Sequence, residues 1–438
     1  MGEMVGGVAE VNITPPVGVS LAGFGNRKGP AESVHDDLYA RALVLGSGDV
    51  RLAIVTADVI SFSPDLVQRI RDDVSEQNGI PGPCVMLCGS HSHSGPTVMS
   101  FRSMGDRDPA YEDVLCRKVA GAVKMAADGL DSVSLSAGRA PVRIGYNRRE
   151  MRQGKTVLGH NPGGPEAPWV DVLRLDRSNG SPIGLLYTTA SHPVNLRGLE
   201  FSAELPGAAA RFIAHNLDGA VAMFGQGCCG DINCSPQDGT FEMTERLGGL
   251  LGAAAVSAAL SAEPLEGTQL ASESRTIQLP LRIPTVGEAE EALRGEQERC
   301  ERAEHDEDVT PYLLRQYRGQ IDWARDYLRA AQEGKPQSQP FEIQVMRIGE
   351  MALVAYPGEM FVDYQLTMDR ESPFVKTLTL AYSNGCIGYV PTASAFEIGG
   401  YEVTMAYRYY GTLMITSECE GLVKQTTLDM LNHLKGAQ

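Results

Sequence analysis

The chain has 438 residues, 43% apolar and 21% charged, which supplies enough hydrophobic material for a large core and argues against general disorder. Its formal charge of -17 repels phosphate backbones and anionic bilayers, so nucleic acid is excluded as a partner, and no run of about twenty apolar residues exists to cross a membrane. The N-terminus, MGEMVGGVAEVNITPP, has neither the basic region nor the apolar run of a secretory leader, and the nine cysteines lack paired zinc-ribbon spacing, so a reducing cytoplasm and free thiols are expected.

Along the first third, strand and helix patterns alternate in the order of an α/β layer fold. Arg51 to Val59 is a β-branched apolar strand, and Ser63-Pro64 opens a helix that Asn78-Gly79 stops. Cys84 to Cys88 (CVMLC) is a short buried strand that runs directly into GSHSHSGP. Ile183 to Ala190 (IGLLYTTA) ends in Ser191-His192-Pro193, and Ala220 to Phe224 ends in the glycine-rich turn GQGCCGDINCSP before an amphipathic helix from about Phe241 to Leu260. From residue 286 to 335 the composition shifts to Glu, Arg, Ala, Gln and Leu, with a break near Asp308 to Pro311. That predicts a charged helical hairpin, read as a solvated pair of helices packed on the main body or on another subunit. Phe341 to Ile348 and Met351 to Ala355 form a β-hairpin around Gly349-Glu350, after which Pro357-Gly358-Glu359 begins a helix. With no internal repeat, residues 1–438 read as one mixed α/β domain with the 286–335 hairpin inserted in it.

Polar residues therefore stand where strands end. His91 and His93 in SHSHSGP are one residue apart, so an extended strand end would point both imidazoles to the same side, as two ligands or as one ligand and one partner. His192 and Glu359 leave other strands. Two histidines and a glutamate match the N and O donors that zinc takes, with a position left for water, and His93 is placed to act as a base if it is not a ligand. Arg148 in IGYNRRE is a candidate oxyanion clamp, and the GDIN loop, Gly230 to Asn233, is a further polar candidate. Cys228, Cys229 and Cys234 read as small buried hydrophobes, because vicinal cysteines cannot easily face one ion. Two other zinc classes also use His-x-His. The metallo-β-lactamase pattern would continue with Asp-His, whereas here it continues Ser94-Gly95-Pro96. A barrel amidohydrolase needs late histidine ligands at strand ends, whereas His215, His305 and His433 lie in helical patterns.

Taken together, VGGVAEVNITPP, HDDLYARALVL, SHSHSGP, IGYNRR, SHPVN, GDIN, PGEM and SNGCIGYVPT resemble, in order and over most of the chain, the neutral (non-lysosomal) ceramidases and their shorter bacterial relatives. The resemblance implies a mixed α/β zinc amidase. Carried over, its metal ligands are His91, His192, Glu359 and Tyr389, with His93 and Arg148 acting on the scissile group and its oxyanion. Where the family's GDVSPN motif has a serine, this chain has Asn233, which removes serine covalent catalysis and leaves Asn233 to bind substrate or the oxyanion. Near Tyr389 the family has a second tyrosine, and here that position is Cys386. The chain also ends soon after the catalytic region, without the family's C-terminal immunoglobulin-like domain, and carries no amphipathic or aromatic surface suited to a bilayer. The expectation is a Zn2+-dependent hydrolase of a small soluble amide, ester or lactone, with a ceramidase proper or a catalytically inactive zinc-containing binding protein as alternatives. A homo-oligomer is left open.

Overall fold

A computed structural model describes residues 3–237 and 239–437. Two sheets lie face to face. The larger contains β1 (Val5–Asn12), β2 (Tyr39–Ser47), β3 (Val50–Ala57), β4 (Val85–Gly89), β5 (Asp131–Pro141), β6 (Trp169–Arg177), β7 (Pro182–Thr189) and β8 (Val221–Gln226), in the order β8-β7-β6-β5-β1-β2-β3-β4, with Glu263–Pro264 added on β5. The smaller has β9 (Leu270–Pro280), β10 (Ser338–Ile348), β11 (Met351–Ala355) and β12 (Lys376–Leu380), in that order. Most neighbours are antiparallel, but β3 with β4, β7 with β8 and β11 with β12 are parallel pairs.

The strands are apolar on both sides because both sheet faces are covered. On β2 the alternation is direct: Leu43 and Leu45 face the other sheet and meet Met346, Leu353 and Leu380, while Ala40, Ala42 and Val44 face helices. Those helices are α1 (Pro64–Asn78) and α2 (Pro109–Asp128), and α3 (Glu204–Asn216) with α4 (Phe241–Leu260) covers β6 to β8. After α5 (Val286–Glu304) and α6 (Pro311–Glu333), α7 (Val362–Glu371) and α8 (Cys419–Gly436) cover the outer face of the small sheet. The result is four layers, helix, sheet, sheet, helix.

Helix boundaries follow local chemistry. Thr285 caps α5 in a reciprocal capping box with Glu288, Thr310 caps α6 ahead of Pro311, and α6 stops at Gly334 in the left-handed region. The α5–α6 pair is the hairpin expected over 286–335. It leaves and rejoins the small sheet between Pro280 and Ser338, which are paired partners on β9 and β10. One boundary differs from the sequence reading. Glu359 does not begin a helix: Glu359–Met360 is a short strand paired in parallel with Tyr389–Val390, and the helix starts at Val362. All nine cysteines are free. Among the described residues no helix is long and apolar enough to cross a membrane.

The layer between the sheets is a buried apolar cluster. Leu353 is fully buried there, so Leu353→Ala is expected to cost about 2–5 kcal/mol in urea unfolding. Leu260→Ala, at an exposed position, should cost under about 0.5 kcal/mol.

Candidate metal centre

The strands of the two sheets deliver their polar residues to one edge. His91 and His93 follow β4, His192 follows β7, Glu359 follows β11 and Tyr382 follows β12. Backbone bonds stitch this edge: Gly89 N–H donates to the Tyr382 carbonyl at 3.1 Å, Asn384 N–H to Leu87 at 2.8 Å, and Ala381 N–H to Gln226 at 2.9 Å. His91 is not on an extended strand. Its φ of 60° is left-handed, as is the 52° of Tyr382, and their rings stack with centroids 3.8 Å apart. Both residues leave their strands in a strained conformation that the stitched edge enforces.

The ligand nitrogens of His91, His93 and His192 lie within 4.8 Å of one another and could hold a metal ion. Their surroundings sharpen that reading. His91 Nδ1 is 2.9 Å from the Ile60 carbonyl, and His192 Nδ1 is 2.5 Å from the Cys229 carbonyl and 3.1 Å from that of Ile232. A carbonyl only accepts, so both Nδ1 atoms carry the proton and both Nε2 atoms present lone pairs. Those lone pairs face another acceptor. Glu359 Oε2 is 3.0 Å from His192 Nε2 and 3.4 Å from His91 Nε2, and all three side chains are buried. Acceptors crowded in this way repel unless a cation stands among them. Protonating the imidazoles is a poor remedy, because burial pushes His192 down to about 4 and burial, followed by the neighbouring His91 and His192, takes His93 well below its ordinary value. Neutral imidazole nitrogens and a carboxylate oxygen are a donor set that suits a divalent metal ion.

His93 differs from the other two. Its Nε2 lies 3.3 Å from His91 Nε2, but its Nδ1 is buried with no hydrogen-bond partner. The ring packs over Gly23, where φ is +93° and a Cβ would stand 2.4 Å from Nδ1, and beside Phe24 at 4.8 Å. Only glycine allows this approach. Arg27, also buried, holds the loop by donating to the carbonyls of His93 (2.7 Å), Gly198 (3.1 Å) and Ala22.

Arg148 lies on the other side of the pocket. Its Nε donates to Glu402 Oε1 at 2.9 Å and one terminal nitrogen donates to Asn233 Oδ1 at 3.0 Å, while the other terminal nitrogen is buried without a partner. Arg149 reaches the second oxygen of the same buried Glu402. Asp231, behind this group, accepts from Val362 N–H at 2.8 Å and from Asn147 at 2.9 Å, and burial raises it to about 7. Asn233 thus sits with Arg148, and its backbone bridges that of His192. Tyr389 pairs with Glu359 through the backbone, but its ring lies beside Arg148, 5.3 Å from the guanidinium carbon. The tyrosines whose hydroxyls touch Glu359 are others: Tyr410 donates to Oε1, and Tyr382 donates to Oε2 at 3.3 Å.

His91, His93, His192, Glu359, Arg148 and Asn233 are therefore gathered as the sequence suggested. Tyr382, Tyr410, Glu402 and Arg27 were missed. Tyr382 had a signal, since it closes the apolar run Thr377 to Ala381 as the histidines close theirs. Glu402 and Tyr410 had none, because residues 401–410 form only short helical turns.

No protein-family model matches the chain. Among solved structures, the crystal structure of neutral ceramidase from Pseudomonas aeruginosa aligns with a TM-score of 0.74 and 20% identity over 99% of this chain and 75% of that one. The structure of a ceramidase complexed with C2 aligns with a TM-score of 0.76 and 18% identity over 99% of this chain and 76% of that one. The chain has a neutral ceramidase-like fold.

Behind the histidine loop, Glu204 is buried and accepts from Ser92 Oγ at 3.3 Å and Asn195 N–H at 3.1 Å, and burial raises it to about 8. Between the ordinary glutamate value of 4.5 and about 8, the folded state keeps a proton that the unfolded chain releases, so this group's contribution to stability falls as pH rises through that window. Glu204→Gln mimics the protonated form. Urea unfolding at pH 5 and pH 8.5 should show the variant gaining on wild type as pH rises, and an equal change in both would refute the assignment.

Proposed function

We propose that the chain is a zinc-dependent hydrolase that cleaves an amide, ester or lactone carbonyl of a small soluble substrate by adding water. The observation that carries this reading is the confrontation of two Nε2 lone pairs with the Glu359 carboxylate, which a bound cation resolves. Residues His91, His192 and Glu359 would hold the ion. The two imidazoles have their second nitrogens fixed by carbonyls and Glu359 is fixed by Tyr410 and Tyr382, the outer support that metal ligands need. Tyr389 or Tyr410 completes the set if a tyrosine ligates. A zinc ion in such a site lowers the pKa of a water molecule to near neutrality and polarises a carbonyl.

The chain's own groups manage the rest. His93 has no fixed outer partner and is neutral at pH 7, so it is suited to accept the proton of the attacking water and to deliver it to the departing nitrogen or oxygen. One C–O bond forms, the C–N or C–O bond of the substrate breaks, and the water's proton ends on the leaving group. The unpartnered terminal nitrogen of Arg148, held in orientation by Glu402, is available to the oxygen that becomes negative. Because its Oδ1 accepts from Arg148, Asn233 is left with its amide N–H to donate. No serine nucleophile is needed. The nine free cysteines suit a reducing, cytoplasmic setting.

Ceramide hydrolysis is the second reading, favoured by the likeness to the two ceramidase structures. Turnover of a fluorescent short-chain ceramide by zinc-loaded protein, faster than that of small soluble esters, would establish it over the first.

Protein purified without chelator is expected to contain about one zinc per chain by plasma mass spectrometry, and His91→Ala should lose it. Metal-free wild type would sink the proposal. His93→Ala should retain zinc and lose about 100- to 10,000-fold in kcat on an ester panel. Loss of the metal together with activity would make His93 a ligand instead.

A further inference from the structure

A histidine that moves protons is ordinarily held by a hydrogen bond on its far ring nitrogen. His93 lacks one: Nδ1 is buried without a partner, and Nε2 lies 3.3 Å from His91 Nε2, on the side of the candidate ligands. What holds the far side of the ring is packing. A Cβ on Gly23 would stand 2.4 Å from Nδ1, 2.5 Å from Cγ and 2.8 Å from Cβ of His93, and the Phe24 ring lies 4.8 Å away, tilted by 56°. The segment that carries these two residues is fixed to the histidine turn at two points. Ala22 N–H donates to the Gly95 carbonyl at 3.0 Å and Thr97 N–H to that of Ser20 at 2.8 Å, with Leu21 bridged to Pro96. From the other end of the segment, Arg27 donates to the carbonyl of His93 itself at 2.7 Å.

Arg27 suits this task by shape as well as by charge. It is buried, and its three side-chain nitrogens reach carbonyls in three stretches of chain: Ala22 in its own segment, His93 in the histidine turn and Gly198 in the loop after His192. A guanidinium fork spans such a set, whereas the compact ammonium of a lysine does not. Burial lowers Arg27 to about 10, which leaves it charged at neutral pH. The segment is also backed from outside. A Cβ on Gly25 would stand 2.8 Å from the Ser103 carbonyl oxygen, and one on Gly105 would stand 2.8 Å from that of Leu21, so residues 102–105 lie directly against it. The helical hairpin holds residues 102–105 in turn. Gln320 of α6 donates to Ser103 Oγ at 2.5 Å, Gln316 accepts from Gly105 N–H at 3.2 Å, and Gly319 packs so closely that a Cβ would lie 1.6 Å from the Arg102 carbonyl oxygen. Thr310, which caps α6, donates to the Lys28 carbonyl at 2.7 Å. His93 thus has a packed backing that runs from its ring through residues 20–28 to α6.

We infer that Gly23 and Arg27 are positioning residues for His93, setting the direction of its ring by close packing and a three-carbonyl clamp where another histidine would use a hydrogen bond. The consequence for catalysis rests on the reading of His93 as the proton carrier, and a structural readout separates the two. Gly23→Ala drives a methyl group into the His93 ring. Gly18→Ala makes the same backbone demand, with φ of 98° against 93°, at an exposed residue where the new Cβ meets nothing within 4 Å. On the ester panel, zinc-loaded Gly23→Ala should lose about 100-fold in kcat at unchanged KM and zinc content, and Gly18→Ala should match wild type. Arg27→Lys keeps the cation and loses the fork, so kcat should fall about tenfold at unchanged KM. A wild-type kcat in Arg27→Lys would mean that Arg27 acts by charge alone and would refute its positioning role. Crystal structures of the zinc-loaded variants should show the His93 ring displaced in Gly23→Ala and Arg27→Lys and in place in Gly18→Ala, with His91 and His192 unmoved. A His93 ring that stays in place in Gly23→Ala, or an equal loss of kcat in both glycine variants, overturns the inference. If wild type turns over no ester, the crystal structures still decide: a displaced ring keeps the positioning role while the hydrolase reading loses support.

Discussion

Everything at the centre of this molecule depends on where two parallel strand pairs of one sheet and one pair of another come to an end. Parallel neighbours finish at the same edge, so β4, β7, β11 and β12 can each hand a side chain to one small volume although those side chains are far apart in sequence. Face-to-face packing brings the edges together, and the backbone bonds from Gly89, Asn384 and Ala381 hold them in register. The left-handed turns at His91 and Tyr382 are tolerated because strands, ladder and inter-sheet core leave the chain no other course.

Buried charge makes the same region costly to assemble and specific once assembled. Glu402 is shared by Arg148 and Arg149 with almost no solvent contact, and Asp231 is satisfied by a backbone amide and an asparagine. Removing one member of such a group strands the others in a medium that solvates them poorly. The network therefore fixes Arg148 in a single orientation.

The sequence made the fold legible where its periodicity was strong. The apolar runs that end in His91 and His192, the hairpin at Gly349-Glu350 and the helix Phe241–Leu260 all stand where their patterns put them. A short parallel pairing was not readable. Glu359–Met360 pairs with Tyr389–Val390, a contact made across thirty residues by two-residue strands too short to show any period, and a helix was expected there. The candidate ligands at the strand ends could be found because histidine is scarce, because His91 lies in a turn bounded by Gly89 and Pro96, and because His192 and Glu359 adjoin Pro193 and Gly358. The tyrosines on Glu359 could not be ranked among the chain's 15, since a hydroxyl contact depends on tertiary placement. Nor did composition reveal how closely the charged hairpin packs on the loop that follows the histidine turn. A solvated helix and one seated on a loop have the same amphipathic pattern, and contacts such as the close approach at Gly319 distinguish them.

That hairpin begins and ends at adjacent partners, Pro280 and Ser338, with Leu281 still bonded to Gln337. Whatever lies between those two points is topologically a loop, and lengthening or replacing such a loop costs little closure entropy. The insertion therefore belongs to one hairpin connection of the small sheet, whereas the candidate ligands His91, His192 and Glu359 follow strands whose order does not depend on it.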